Sequence, residues 1–497
     1  MVRTILTDED PRLRTESEPV QSNDPALEQD IADLADTLAD FRDRAGFGRA
    51  ISAPQVGIMK RLIVLNLGAG PVALLNPTIT QRSSEHQVVW DDCLSVPDRL
   101  VRVERSRSIS LEFQNPAGQE ISWDVTAADM AELLQHEVDH LDGVLMTDRA
   151  ESPDSIRPID ERSQLAPDTA VAAPRVTATG IAAQLPRIDP TFTDSPQYEC
   201  EPLSEALGAR VLLKVETANP IRCFKGRGAS LLIADHCGAS AAPRPVVTSS
   251  AGNWGQAIAY ACRAYGIPTT VYAAENANPT KLDRMRALGA EVVLHGADLD
   301  EAKLVAKAFA AEQGYRFVED GQDEAVTEGH GSIGVELADD MAATGDHLDA
   351  VLVPVGNGAM IAGIGGWLKA ASPATQVLGV TPTGAPAMRK AWLAPTERDL
   401  WGSDPVETIA DGLAVRIPIA DAVDDMVGLV DDVLEVDDET IAEAMRLLFS
   451  EAGLLTEPSG AAGIAAILDN PERFRGRHVA VIICGSNIGP DQLALLA

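Results

Sequence analysis

Apolar positions at Leu27, Ile31, Leu34, Leu38 and Phe41 recur at three- and four-residue intervals, so Pro25 to Arg44 reads as an amphipathic helix. Gly46-Phe47-Gly48 stops it. Shorter apolar runs at Ile58 to Asn66, Val72 to Asn76 and Ser108 to Phe113 read as strands, and Asn115-Pro116-Ala117-Gly118 as a turn between two strands. Ala127 to Asp142 returns to helical spacing. This mixture predicts an α+β domain over residues 1–160. Between about Glu151 and Pro190 the pattern lapses into Pro153, Pro158, Pro167, Pro174, Pro186 and Pro190 among Ala, Ser, Thr and Asp. That composition predicts a linker, placed at 161–185. From Val211 onward short apolar strands alternate with helices: Val211 to Val215, Pro245 to Ser249, Gly255 to Tyr265, Thr269 to Ala274, Pro279 to Leu288, Glu291 to Leu294. Such alternation predicts an α/β domain with a mostly parallel sheet over 186–497.

Composition narrows the partners. A chain of 497 residues suggests two to four domains, and its 45% apolar content suffices for ordinary cores. With 75 acidic against 40 basic residues the formal net charge is -35, which repels phosphate backbones and anionic bilayers. Nucleic acid and membranes are therefore not expected as partners, and small molecules are. No apolar run reaches transmembrane length, and Met1 to Val20 is polar, so neither a membrane span nor a signal peptide is expected. The six cysteines (Cys93, Cys200, Cys223, Cys237, Cys262, Cys484) are scattered without CxxC spacing. That is the pattern of a reduced, cytoplasmic chain.

Three stretches of the first domain carry chemistry. Gln135-His136-Glu137-Val138-Asp139-His140 puts two histidines one helical turn apart with a glutamate between them. Both rings can ligate one metal ion, and the glutamate can serve as general base. The same pattern also suits a solvated helix with a satisfied histidine pair. Upstream lie Trp90-Asp91-Asp92-Cys93-Leu94-Ser95-Val96-Pro97 and Gly48-Arg49-Ala50-Ile51-Ser52-Ala53-Pro54-Gln55-Val56-Gly57. Together with Ile5-Leu6-Thr7 and Asp10-Pro11-Arg12-Leu13-Arg14, these three motifs in order resemble peptide deformylase. The resemblance implies Cys93, His136 and His140 as metal ligands with a fourth position open, Glu137 as proton shuttle, and Gln55 with the Leu94 N–H as oxyanion donors. It implies ferrous iron, with zinc or nickel as substitutes. Arg49-Ala50 and Asp91-Asp92 depart from the family motifs, and both are expected to shape the substrate cleft.

The second domain is centred on Asn219 to Ala229, where Phe224 and Lys225 precede Gly226-Arg227-Gly228. A lysine at a strand-to-helix junction can be desolvated into a nucleophile toward an aldehyde, although a glycine turn with a surface lysine would look similar. Downstream, Ser249-Ser250-Ala251-Gly252-Asn253 and Val355-Gly356-Asn357-Gly358-Ala359-Met360 each follow a strand and open a helix. N–H groups there suit a carboxylate and a phosphate respectively. Glu457-Pro458-Ser459-Gly460-Ala461, Ile482-Ile483-Cys484-Gly485-Ser486-Asn487 and Glu407 to Val415 complete the set. These ordered motifs resemble the fold-type II pyridoxal-phosphate enzymes (tryptophan synthase beta-like), most closely the serine/threonine dehydratases.

The resemblance implies that Lys225 carries the cofactor as a Schiff base and moves the α-proton, and that Phe224 packs on its ring. Asn253 would bind the ring's 3-oxygen, and Gly356, Asn357, Gly358, Ala359 and Met360 would surround the phosphate. Cys484 would stand beside the pyridine nitrogen, and Ser250, Ala251 and Gly252 would meet the substrate carboxylate. A neutral partner at that nitrogen favours β-elimination over transamination. Ala251 stands where related serine racemases carry a second base, and Thr381-Pro382 where some relatives help bind a divalent ion, so neither racemisation nor a metal is expected in this domain. Asn357 and Ala359 replace loop glycines in the manner of threonine synthase.

The sequence is thus expected to encode a bifunctional enzyme. One domain removes a formyl group from an amino acid or peptide. The other converts a serine- or threonine-like amino acid to a 2-oxo acid and ammonia, in sequence on one N-formyl amino acid or independently. β-Replacement, or a first domain serving only for docking, are the alternatives. Relatives of the second domain imply a homodimer.

Overall fold

The computed structural model describes the chain except for Ser22, Glu151, 165–174, 240–241, 399–400, 403–404 and Ala497. It divides into two compact units, one over Met1–Ala173, Ala342–His347 and Lys369–Ala374 and one over Pro174–Met341, Leu348–Leu368 and Thr375–Ala497.

The strands of the first unit are β1 (Ala50–Ser52), β2 (Leu62–Asn66), β3 (Pro71–Arg82), β4 (His86–Cys93), β5 (Val96–Ser106), β6 (Ile109–Gln114), β7 (Glu120–Val125) and β8 (Ile156–Pro158). They form an antiparallel sheet in the order β1-β2-β3-β6-β7 and a second one, β4-β5-β8. Alternation along β2 explains why helices cover both faces of the larger sheet. Ile63 and Leu65 pack with Leu134, Val138 and Leu141 of the helix Ala128–Leu141, while Leu62 and Val64 pack with Leu34, Leu38 and Phe41 of the helix Leu27–Ala45. Gly46 ends the latter helix at φ 77°, a left-handed cap that favours glycine. The pair β4 and β5 is absent from the sequence-based expectation: Arg102 and Glu104 alternate with Val101 and Val103, but Asp91 and Arg105 put charges at inward positions and break the pattern.

The second unit contributes β9 (Gln197–Glu199), β10 (Arg210–Val215), β11 (Val246–Ser249), β12 (Thr269–Ala273), β13 (Glu291–Leu294), β14 (Arg316–Phe317), β15 (Ala350–Pro354), β16 (Gln376–Pro382), β17 (Asp432–Val436) and β18 (His478–Ile483). One sheet runs β17-β16-β15-β18-β10-β9, parallel except for β9, and the other runs β13-β12-β11-β14, all parallel. Buried on both faces, β15 and the stretch Val479–Ile483 of β18 read as apolar runs, and β10 does so but for Lys214. Of the expected linker, residues 165–174 lie outside the described residues. Its later part is structured: Ala178–Gln184 is a helix capped by the Thr177 hydroxyl, and Val176 and Ile181 are fully buried within the second unit. Ile181 packs beside Gly331 and Gly366, where a methyl group would collide with it or press on it. No helix among the described residues is long and apolar enough to cross a membrane.

Behind the start of the helix Gly226–Gly238 lies a buried ion network. Arg227, wholly enclosed, donates to Glu216 at 2.8 Å and to Glu336 at 2.5 and 2.9 Å, and Lys214 reaches Glu336 at 2.5 Å. Burial opposes ionisation of Glu336, but hydrogen bonds and charge from Arg227 and Lys214 win and hold its carboxyl down at about 2. A carboxyl depressed from 4.5 contributes stability that is full above pH 4.5 and is lost as pH falls toward about 2. Arg227→Met leaves buried Glu216 without its cation and Glu336 with Lys214 alone, and should destabilise this unit by about 3–5 kcal/mol. Hydrogen exchange of peptides spanning β10 and Gly226–Gly238 between pH 6 and 2.5 should show the acid-limb loss in the native chain and faster exchange at every pH in the variant.

Candidate functional site

The helix Ala128–Leu141 brings His136 and His140 onto one face, and Cys93 closes the triangle from the end of β4. Cys93 Sγ lies 3.2 Å from His140 Nε2, which lies 3.2 Å from His136 Nε2. One thiol and two ring nitrogens thus converge within 4.8 Å, all buried. Two imidazole nitrogens and a sulfur this close form a donor set that fits a borderline-soft divalent ion. The two Nε2 atoms face each other and the Cys93 thiol, an arrangement that suits a shared cation better than a chain of hydrogen bonds.

Groups around the triangle orient it. Asp91 Oδ2 is 3.2 Å from His136 Nδ1 and 2.7 Å from Arg105, which also bonds Asp139 at 2.6 Å. The expectation that Asp91 shapes the cleft is therefore corrected. It is buried behind His136, where a carboxylate fixes the ring and raises its basicity, whereas Asp92 faces the cleft. Ser52 Oγ donates to Glu137 Oε2 at 2.5 Å and so aims the glutamate; burial raises that carboxyl above its ordinary range. Gln55 is enclosed, its Oε1 accepting from Ser52 N at 2.9 Å and its Nε2 facing Ser95 Oγ at 3.4 Å and Cys93 Sγ at 3.7 Å. Leu94, His136 and Glu137 open onto a cavity of about 510 Å³.

In the second unit the named residues stand near the C-terminal ends of parallel strands, where open α/β sheets bind ligands. Lys225 follows β10, Asn253 follows β11, Gly356 follows β15 and Cys484 follows β18. Lys225, Phe224, Ser250, Ala251, Gly252, Asn253, Gly356, Asn357, Gly358, Met360 and Cys484 all line one cavity of about 610 Å³. Ala359 does not line it; it is buried in the first turn of the helix Ala359–Ala371, and its N–H donates to Asn357 Oδ1 at 3.2 Å. Gly358 is left-handed at φ 97°, and a Cβ there would stand 2.8 Å from Met426 Sδ. Only glycine keeps that loop open. Lys225 pairs with Asp320, and its ammonium lies 4.5 Å from the centre of the Phe224 ring. Burial pushes the Cys484 thiol well above its ordinary range, so it stays neutral.

This cavity fits pyridoxal phosphate. Ser249 Oγ, Ser459 Oγ and Asp320 Oδ1 belong to its lining and are buried without a hydrogen-bond partner among the described residues, which calls for a polar ligand. The glycine loop opening a long helix supplies a phosphate cradle, and Lys225 supplies the amine.

Sequence reasoning missed four participants. Glu457 accepts from Asn253 Nδ2 at 2.7 Å and from the Asn487 N–H at 3.1 Å, and Asn487 Nδ2 donates to Asn253 Oδ1 at 2.7 Å. The Asn253 amide is thus fixed at both ends. Glu457 lies in the quoted Glu-Pro-Ser-Gly-Ala motif, but its side chain does not cap the helix that follows and turns to the Asn253 amide, a partner remote in sequence. Asp320 and Ser52 carried no signal, because their partners are remote in sequence.

Comparison with known proteins agrees with both sites. Residues 188–485 match the family model "Pyridoxal-phosphate dependent enzyme" and residues 2–155 the model "Polypeptide deformylase". The chain is 35% identical over 292 residues to the L-threonine ammonia-lyase of Thermotoga maritima, covering 59% of this chain and 70% of that protein. It is 32% identical over 305 residues to the catabolic L-threonine dehydratase TdcB of Staphylococcus aureus, covering 61% and 86%. Among solved structures it resembles a threonine deaminase from T.th. (TM-score 0.59, 33% identity, 63% of this chain and 99% of that one). Maize serine racemase is also similar (TM-score 0.58, 26% identity, 64% and 96%).

Cys93→Ala and His140→Ala should leave the full-length protein with less than about a tenth of an equivalent of metal. Asp91→Asn keeps all three ligands and should weaken metal affinity about 10- to 100-fold. Chelator competition with metal analysis measures both.

Proposed function

The chain belongs to the pyridoxal-phosphate dependent enzymes through its second unit and carries a polypeptide deformylase domain in its first, and from that premise we propose that it is bifunctional. The first unit hydrolyses the formamide of an N-formyl amino acid. The second eliminates and deaminates the serine- or threonine-like amine so exposed, giving a 2-oxo acid and ammonia. The reading is carried by one observation: two chemically complete sites are built on one chain, the Cys93-His136-His140 triangle beside Glu137 and the lysine-bearing cavity at Lys225.

In the first unit Cys93, His136 and His140 would hold a divalent ion, ferrous iron first, with zinc or nickel as substitutes. Such an ion supplies Lewis acidity toward water and the formyl oxygen. Glu137, held by Ser52, takes a proton from the attacking water and hands it to the departing nitrogen. The C–N bond breaks, and formate and a free amine leave. Gln55 Nε2 and the Leu94 N–H donate to the oxygen that becomes negative.

In the second unit Lys225 would anchor the cofactor, which supplies an electron sink. The N–H groups from Gly356 to Met360 would cradle its phosphate, Phe224 would pack on the ring and Asn253 would donate to its oxygen. Cys484, a neutral thiol, would leave the ring nitrogen a weak sink, suited to elimination. The Ala251 N–H and the Ser250 hydroxyl would receive the substrate carboxylate, since the Ser250 N–H is given to the Tyr272 carbonyl at 2.9 Å and the Gly252 N–H to Ser250 Oγ at 3.1 Å. Lys225 would carry the α-proton away as the β-hydroxyl departs as water. The chemical reason for joining the units lies in the amine. A formamide nitrogen has a delocalised lone pair and cannot exchange with Lys225, whereas the deformylated amine can.

Formate and 2-oxo acid, assayed separately on N-formylserine and N-formylthreonine, test the scheme. The intact chain should yield both, Glu137→Ala neither, and Lys225→Ala formate alone. Borohydride reduction after incubation with pyridoxal phosphate should fix one label on the Lys225 peptide. Full oxo-acid production from free serine or threonine by Glu137→Ala, with formate only from formyl peptides, would show two independent enzymes. Trapping of the eliminated product by an added nucleophile would favour β-replacement, the reaction toward which Asn357 and Ala359 lean.

A further inference from the structure

The departure at Arg49 has no part in the mechanism above, yet it faces the same cavity as Glu137. That cavity carries Arg42, Arg49, Asp92 and Glu132 among apolar groups that include Phe47 and Trp90, so a ligand there meets charge as well as apolar surface. Arg49 immediately precedes β1, whose Ser52 holds Glu137, so one short stretch sets both groups. Its guanidinium Nη2 lies 3.2 Å from Glu132, which stands one helical turn before His136. The fork is therefore about 5–6 Å along the helix from the metal-binding triangle. In an N-formyl amino acid the carboxylate is only two bonds beyond the formamide nitrogen, so a formyl group at Glu137 brings the carboxylate within reach of that fork.

The geometry points to Arg49 as the residue that binds the α-carboxylate of a free N-formyl amino acid, making the first unit selective for such acids over formylated peptides. Guanidinium and carboxylate match as a two-pronged pair. The guanidinium is 42% exposed and pairs with two carboxylates at 3.2 Å, Asp129 and Glu132, the first 74% and the second 16% exposed. The Asp129 pair is screened by water and readily exchanged, which leaves one side of the fork to a ligand. A peptide or amide offers a neutral carbonyl at the same point and forfeits the charge. This inference rests on the formamide-hydrolase reading of the same site.

The test compares N-formylserine, N-formylserinamide and a formylmethionyl tripeptide on the full-length, metal-loaded protein, with Arg49→Gln and Arg49→Lys. Binding of the slowly hydrolysed N-acetylserine is followed by calorimetry. The intact chain should prefer the acid over the amide by at least 30-fold in kcat/KM. Arg49→Gln should raise KM for the acid at least 10-fold with kcat within about threefold, abolish the preference, and lose N-acetylserine binding while keeping its metal and Tm. Arg49→Lys should recover part of both. Equal rates on acid and amide, a preference for the tripeptide, or an unchanged Arg49→Gln would overturn the assignment while leaving the hydrolase reading intact. Binding of N-acetylserine that depends on Arg49, with no formate released from any compound, would instead sink the hydrolase reading and keep the carboxylate site. Absence of both binding and formate would sink both.

Discussion

Arg227 is the side chain on which the second unit turns. It lies two residues beyond Lys225, is wholly buried, and spends its donors on Glu216, Glu336, Ser332 and the Ser195 hydroxyl. Glu216 follows β10, Glu336 belongs to the long helix Glu324–Thr344, and Ser195 precedes β9. One guanidinium therefore ties together three separate stretches of chain at the point where the backbone must turn to present Lys225. With Lys214 and Glu336 joined by 2.5 Å, the cluster holds two cations and two carboxylates, and its charges cancel. Such clusters are poor sources of net stability compared with apolar packing but severe penalties against misplacement, because any one member alone is a buried, unpaired charge. The loop bearing Lys225 inherits that rigidity.

The first unit solves the same problem with other residues. Asp91, Arg105 and Asp139 form a buried chain behind His136, and Arg149 extends it from outside at 2.5 Å. Histidine nitrogens aimed at one point repel through their lone pairs, so the triangle needs an outside restraint. The carboxylate at the far nitrogen of His136 supplies it, and Arg105 keeps that carboxylate ionised and in place. In both units the reacting residue stands in the cavity, and the residue that makes its position compulsory stands just behind it.

That division explains what the chain reveals before folding. The helices Leu27–Ala45 and Ala128–Leu141 and the strands β10, β11, β12 and β13 follow from local periodicity, and the motifs whose family resemblance gave the site residues supply part of the lining of both cavities. The strands β4 and β5 escaped because Asp91 and Arg105 of the buried chain just described put charge at inward positions. Asp91 was read as a cleft residue for the same reason: nothing near it in sequence announces Arg105 or His136. The segment around Ile181 was read as linker because its glycine and alanines are low in hydrophobic contrast, although Gly331 and Gly366 open the recess that receives it. What was illegible is in each case a contact across a long sequence separation.

The formal charge of -35 bears on how anionic substrates reach these sites. In cellular salt the field of a surface carboxylate fades over about 8 Å, so the sum over the chain matters less than the charges at each mouth. At the first cavity Arg42 and Arg49 counter Asp92 and Glu132, and at the second Lys225, Lys281, Lys303 and Arg416 stand among Asp298, Asp300, Asp320 and Asp411. Those four cations of the second cavity are already paired: Lys281 with Asp411, Arg416 with Asp298 and Asp300, Lys225 with Asp320, Lys303 with Glu319. On the reading proposed above, an amino acid entering there would meet no unpaired cation among the described lining residues, and its carboxylate would rely on uncharged polar groups at the start of the helix Asn253–Ala264. Because each of those cations already has its carboxylate, recognition there would fall to short-range hydrogen bonds and not to a long-range field.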